Sequence, residues 1–108
     1  MSRAFLGEFE HRVLLAILGA GEAGTSRAIR ERLARSSDQE VSRGALYTTL
    51  DRLEAKGLVR WTARPGGDTR DGLPERSYQV TATGLAAVRA SRRTLLDLWS
   101  GLEDLLEG

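Results

Sequence analysis

The chain has 108 residues, the length of one domain, and can bury about two-thirds of its unfolded surface, so it needs no cross-links. Cysteine is absent, which excludes disulfides, thiolate metal sites and cysteine redox sensing and fits a reducing compartment. The net charge of +1 balances sixteen bases against fifteen acids, but all the bases lie at or before Arg93, and the charged residues beyond it, Asp97, Glu103, Asp104 and Glu107, are all acidic.

The first predicted helix spans residues 5–18. Phe5, Leu6, Phe9, Val13, Leu14, Ile17 and Leu18 form its apolar stripe, and Gly19 and Gly21 end it. His11 lies inside it as a boundary residue. With one histidine and no cysteine, no metal and no cofactor are expected. The longest apolar run, residues 13–18, is far short of a membrane span, and no secretory signal opens the chain, so a cytoplasmic protein without a membrane partner is expected. A turn over residues 19–24 precedes a second helix that reaches about Ala34 and is capped by Thr25 or Ser26. Ala28, Ile29 and Leu33 face inward there, while Arg27, Arg30, Arg32 and Arg35 face outward. This basic side is either a solvated face or, at its N-terminus, a seat for a DNA phosphate.

Residues 36–40 are polar and read as a turn. Ser42 then caps a third helix in which Leu46, Leu50 and Leu53 recur at helical spacing up to a stop at Gly57. Opposite the leucines lie Gly44, Thr48, Asp51 and Ala55, with Ala45 and Arg52 on one flank and Tyr47 on the other. A DNA-recognition helix needs this division, because outward bulk would hold its backbone away from the major groove. Ser42, Arg43, Ala45, Tyr47, Thr48 and Arg52 are therefore the candidate DNA contacts, with a core-edge role as the rival for Tyr47.

Residues 58–63 alternate as a strand, with residues 77–80 as the antiparallel partner. The connection RPGGDTRDGLPE holds both prolines of the chain. Three helices followed by a small β-hairpin make a mainly α, winged helix-turn-helix arrangement. Arg64, Arg70 and Arg76 are placed for phosphate or minor-groove contact; the alternative is a solvated loop in which Asp68, Asp71 and Glu75 cancel them. From the cap Thr81 the pattern is helical to the end, with Leu85, Val88, Arg92, Leu95, Trp99, Leu102 and Leu106 spaced 3-4-3-4-3-4. About seven turns outrun a domain of this size, so a second subunit is the economical cover. The predicted homodimer interface is Phe9, Leu85, Val88, Leu95, Trp99, Leu102 and Leu106, with Arg92 either meeting an acid such as Glu8 or Glu10 or turning aside to solvent. Residues 1–80 then form the DNA-binding unit and residues 81–108 the dimerisation helix.

The run from Gly44 to Val59 fits G-x-L-Y-x-x-L-x-R-L-E-x-x-G-L-[IV] and resembles the PadR-type winged helix-turn-helix regulators. Gly72-x-Pro74-x-Arg76-x-Tyr78-x-Val80-Thr81-x-x-Gly84 is similar to the stretch where such proteins leave the wing and begin a dimerisation helix. The resemblance implies a homodimeric, sequence-specific DNA-binding regulator, with repression of a two-fold symmetric operator on double-stranded DNA as its function. It also implies a small aromatic effector stacked between subunits near Trp99 and Leu95, against the plainer reading of Trp99 as seam packing. The alternative function is a winged-helix protein-interaction module without DNA binding. Leu73 and Glu75 favour it, since many relatives carry basic residues there. An enzyme is the weakest reading: the chain has no phosphate-binding glycine loop and no carboxylate pair in an apolar setting.

Overall fold

The computed structural model describes residues 6–35, 40–64 and 75–107. Helix α1 (Glu8–Ala20) starts later than the stripe predicts, because Gly7 is extended and its N–H donates to Glu10 Oε1 at 3.0 Å. Phe5 lies outside the described residues. Gly19 continues the helix, and Gly21 ends it at φ 63°, with its N–H returning to the Leu18 carbonyl. Val13, Leu14, Ala16 and Ile17 are buried, whereas Leu18 is turned outward.

A 3₁₀ turn (Gly21–Ala23) leads to α2 (Ser26–Arg35). Thr25 is its cap, accepting from the Ala28 N–H at 3.2 Å. Ile29 and Leu33 point into the core, as the spacing requires. Helix α3 (Arg43–Ala55) begins with Ser42 Oγ accepting from the Ala45 N–H at 3.0 Å and buries Leu46, Leu50 and Leu53 completely. Its end is a Schellman motif: Gly57 at φ 76° donates to Glu54, and Leu58 donates to Leu53. Leu58 is thereby delivered into the core next to the helix that it leaves.

Strands β1 (Val59–Arg64) and β2 (Glu75–Val80) pair antiparallel, with Val59 opposite Val80 and Trp61 opposite Tyr78. The ladder runs further out than the sequence pattern shows, through Ala63 with Arg76 and Arg64 with Glu75. On its other side β2 meets the turn before α2: the Tyr78 N–H donates to Gly24 O at 2.8 Å, and Thr25 bridges Ser77. A Cβ at Gly24 would run into the Tyr78 carbonyl oxygen, so glycine permits this approach.

Thr81 joins three elements. Its Oγ1 accepts from the Gly84 N–H at 3.0 Å and donates to Gly57 O at 2.7 Å, and its N–H donates to Leu58 O. Helix α4 (Ala82–Trp99) starts here and packs its first turns so closely that a Cβ at Gly84 would meet the Leu58 carbonyl. Gly84 and Val88 belong to the core of the chain itself. Val88, expected to face a second subunit, is enclosed by its own chain, and the boundary expected at residue 80 falls inside continuous packing. The helix expected to run to Glu107 stops at Trp99. Ser100 and Gly101, the latter at φ 87°, turn the chain into the short α5 (Glu103–Leu106). Leu102 and Leu106 therefore leave the straight seam that their spacing describes.

Two polar ties hold α1 in place. Lys56 Nζ reaches Glu10 at 2.9 and 3.1 Å, which fastens α1 to the end of α3. Glu10 is thus taken by a residue of its own chain, and Arg92 is exposed. His11 Nδ1 bonds Ser91 Oγ at 3.0 Å, which fastens α1 to α4. Burial pushes the Glu10 carboxyl up, but the Lys56 ammonium, the Gly7 N–H and the nearby Arg52 outweigh it and hold the group below its ordinary value. None of the described helices is long and apolar enough to cross a membrane.

Candidate nucleic-acid interface

With its leucines buried, α3 presents Arg43, Gly44, Ala45, Thr48, Asp51, Arg52 and Ala55 to solvent. A Cβ at Gly44 would meet nothing within 4 Å, so the first turns are open to a partner's edge. Ser42 is exposed beside them and keeps its hydroxyl hydrogen available, since the cap uses only its oxygen as an acceptor.

Tyr47 lies at the rim of this face, 37% exposed, with its hydroxyl 3.0 Å from Ser26 Oγ. Two hydroxyls sharing one hydrogen bond retain one hydrogen to donate, and here it lies where the first turn of α2 meets α3. Ser26 entered the sequence reading only as a possible cap. Thr25 takes that task, which leaves the Ser26 side chain beside Tyr47. Exposure of Arg27 beside it and partial exposure of Arg30 add positive charge to the same end of the molecule.

At the hairpin, Arg76 lies with its guanidinium carbon 4.0 Å from the Trp61 ring centroid. Its Nη1 is 3.5 Å from Tyr78 Oη, a long contact. The Tyr78 hydrogen bond raises the Arg76 pKa, and the carboxylates of Asp51 and Glu54 on α3 add to this against the effect of burial. Burial pushes the Tyr78 phenol up in turn, more than Arg76 draws it down. Arg76 is thus a guanidinium already positioned by its own hairpin and set close to the outward side of α3. Trp61 as its platform was not legible in the sequence, because the diagonal pairing exists only once the strand register is known. The backbone of Arg64 closes β1, and Arg70 lies outside the described residues, as do Leu73 and most of the hairpin connection.

The order of elements, the capped and half-buried α3 and the hairpin behind it coincide with a model of the PadR-like family of transcriptional regulators, which matches residues 14–90. The chain belongs to the PadR-like family. Among solved structures it is similar to RosR from H. salinarum, with a TM-score of 0.71 and 29% identity over 89% of this chain and 79% of that one. A PadR-like transcription factor from Bacteroides fragilis shares the fold, with a TM-score of 0.70 and 21% identity over 90% of this chain and 88% of that one. Transcriptional regulator Rv3488 of Mycobacterium tuberculosis is 45% identical over 58 residues, which are 54% of this chain and 50% of that protein. The match thus spans half the length of that curated relative. The winged-helix fold and the family read from the Gly44–Val59 motif are those found.

Proposed function

We propose that this PadR-like protein is a homodimeric repressor that binds a two-fold symmetric DNA operator in the cytoplasm. The observation that carries the reading is the division of α3, with Leu46, Leu50 and Leu53 wholly buried behind an outward face of small, hydroxyl-bearing and basic residues. On this reading Ser42, Arg43, Ala45, Thr48 and Arg52 approach base edges and phosphates, the Tyr47–Ser26 hydroxyl pair donates its one remaining hydrogen to a phosphate, and Arg64, Arg70 and Arg76 flank the groove. The wing arginines add sequence-independent attraction, and the α3 contacts add specificity.

Dimer formation rests on a second observation. Leu95, Leu98 and Trp99 on α4 and Leu102, Leu105 and Leu106 beyond it are 41% to 77% exposed, a larger run of apolar surface than a monomer ordinarily leaves in water. Residues 1–80 then read DNA, and the exposed part of α4 with α5 sets the separation of two recognition helices at about 34 Å. Phe9 and Leu85, both partly exposed, would complete the seam, and Trp99 and Leu95 would line the space between subunits where a planar aromatic effector fits.

Footprinting on the DNA upstream of the protein's own gene tests the reading. Protection of two half-sites related by a dyad, one helical turn apart, is the result expected. Failure to protect any DNA in a genome-wide selection would overturn it in favour of a protein-interaction module.

A further inference from the structure

Helix α3 carries an acid in the middle of the face that the DNA reading turns towards a polyanion. Asp51 is exposed and shares the outward line with Gly44, Thr48 and Ala55. Arg43 and Arg52 stand on opposite flanks of that line, with Tyr47 on the side of Arg43. Among the described residues, the Asp51 carboxylate takes part in no hydrogen bond and no ion pair. It acts on Arg76 only through space: the Arg76 pKa is raised by the Tyr78 hydrogen bond and then by Asp51 and Glu54, with no salt bridge to either acid.

Duplex DNA carries about one negative charge per 1.7 Å of its axis, so a carboxylate is repelled wherever it meets phosphate. Position on the helix decides what it meets. A helix lying in the major groove turns its flanks to the phosphate walls and its central line to the base edges on the floor. Arg43, Tyr47 and Arg52 then face the walls, and Asp51 faces the floor. Its side chain is short and reaches a base only if the helix backbone comes close. Gly44, where a Cβ would meet nothing within 4 Å, and the small Ala45 and Ala55 leave that approach open.

The floor offers a carboxylate few partners. An ionised carboxylate only accepts hydrogen bonds, and guanine N7 and O6 and thymine O4 are acceptors as well. Adenine sets its N6 donor beside the N7 acceptor, which repels a carboxylate oxygen. Cytosine presents its N4 amino group with no acceptor of its own beside it, and is the base that satisfies the carboxylate.

We infer that Asp51 is a specificity-determining residue that accepts a hydrogen bond from the N4 amino group of one cytosine in each half-site of the operator. The inference rests on the DNA reading above and adds to it the base that one residue selects. Asp51 acts mainly by rejection, because at any other base its carboxylate is desolvated against acceptors and left unpaired.

Selection from random duplexes by the wild type, Asp51→Ala and Asp51→Asn tests it. Position 51 is exposed, so both variants keep the fold, which circular dichroism verifies. The wild type should enrich a motif with cytosine at one position of each half-site, and replacing that cytosine should weaken binding by roughly 10- to 100-fold in a gel-shift titration. Asp51→Ala should lose the preference at that position alone. Asp51→Asn, which can pair with adenine N6 and N7, should admit adenine there. A carboxylate that only held Arg76 in place would, when removed, change affinity by one factor for every sequence and leave the selected motif as it is in the wild type. That result overturns the assignment and leaves DNA binding standing. A wild type that enriches no sequence overturns the DNA reading and the assignment with it.

Discussion

Tyr47 and Glu10 show how single side chains divide the work of this protein. The Tyr47 ring sits at the rim of the core and its hydroxyl meets Ser26, so Tyr47→Phe removes the phenolic hydroxyl from the outer surface and leaves the packing in place. Arg43, exposed at the entrance of α3, can likewise be replaced by alanine without disturbing the core. Each substitution should weaken operator binding by about 1 to 3 kcal/mol in a gel-shift titration while thermal stability stays near that of wild type. Unchanged affinity for both would remove them from the DNA interface. Glu10 acts on stability instead. Its folded pKa lies below the unfolded value, so its contribution is present above the unfolded pKa, near 4.5, and fades as pH falls through the folded value. Lys56 is about a third exposed, and solvent screening limits the pair to about 1 kcal/mol. Urea titrations should show Glu10→Gln less stable than wild type by that amount at pH 7, with the two converging as the pH falls below the folded value.

The junction between α3, the hairpin and α4 depends on close backbone approach. Thr81 bonds to Gly57 and Gly84, and Gly84 leaves room for the Leu58 carbonyl and the Val80 side chain. Gly84→Ala should cost at least about 2 kcal/mol of unfolding free energy, although alanine is the better helix former, because a rigid backbone oxygen has to move. Chemical denaturation at pH 7 measures this directly, and a neutral or stabilising result would mean that α4 can shift away from β1 without loss. The hairpin differs in kind. Trp61 lies half-buried opposite Tyr78 and carries Arg76 on its face, so the outer ladder is held by a stacked cation as well as by backbone pairing.

For the whole molecule the question is what covers the exposed leucines of α4 and α5. Leu95 is 45% exposed and outside the core of its own chain, so an aspartate there leaves the monomer fold intact and places a charge in the proposed dimer seam. Leu95→Asp should give a folded monomer by light scattering at micromolar concentration and lose operator binding by at least about 100-fold, since one half-site alone supplies only part of the contact energy. A variant that remained dimeric would move the seam elsewhere. The ties from α1 to Lys56 and Ser91 connect α4 to the end of α3 through two short polar contacts.

Periodicity and end signals alone determined much of this protein. The leucine spacing of α3, its Ser42 cap and its Gly57 stop are local features, set by which backbone groups a helix end leaves unpaired, and they survive unchanged in the fold. The outward face of that helix was legible for the same reason, since burying three leucines on one side fixes what faces the other way. Tertiary structure decided what depends on distant segments meeting. Val88 follows the apolar spacing of Leu95, yet the first turns of α4 fold against the chain's own core and enclose it, whereas Leu95 stays uncovered. Glu10 finds Lys56 because the Schellman end of α3 brings that lysine to α1. Ser26 meets Tyr47, and Arg76 meets Trp61, only through the packing of α2 on α3 and the strand register. The spacing of the last apolar residues suggested one straight helix, but repeated spacing carries no term for the backbone at Gly101, where a positive φ turns the chain.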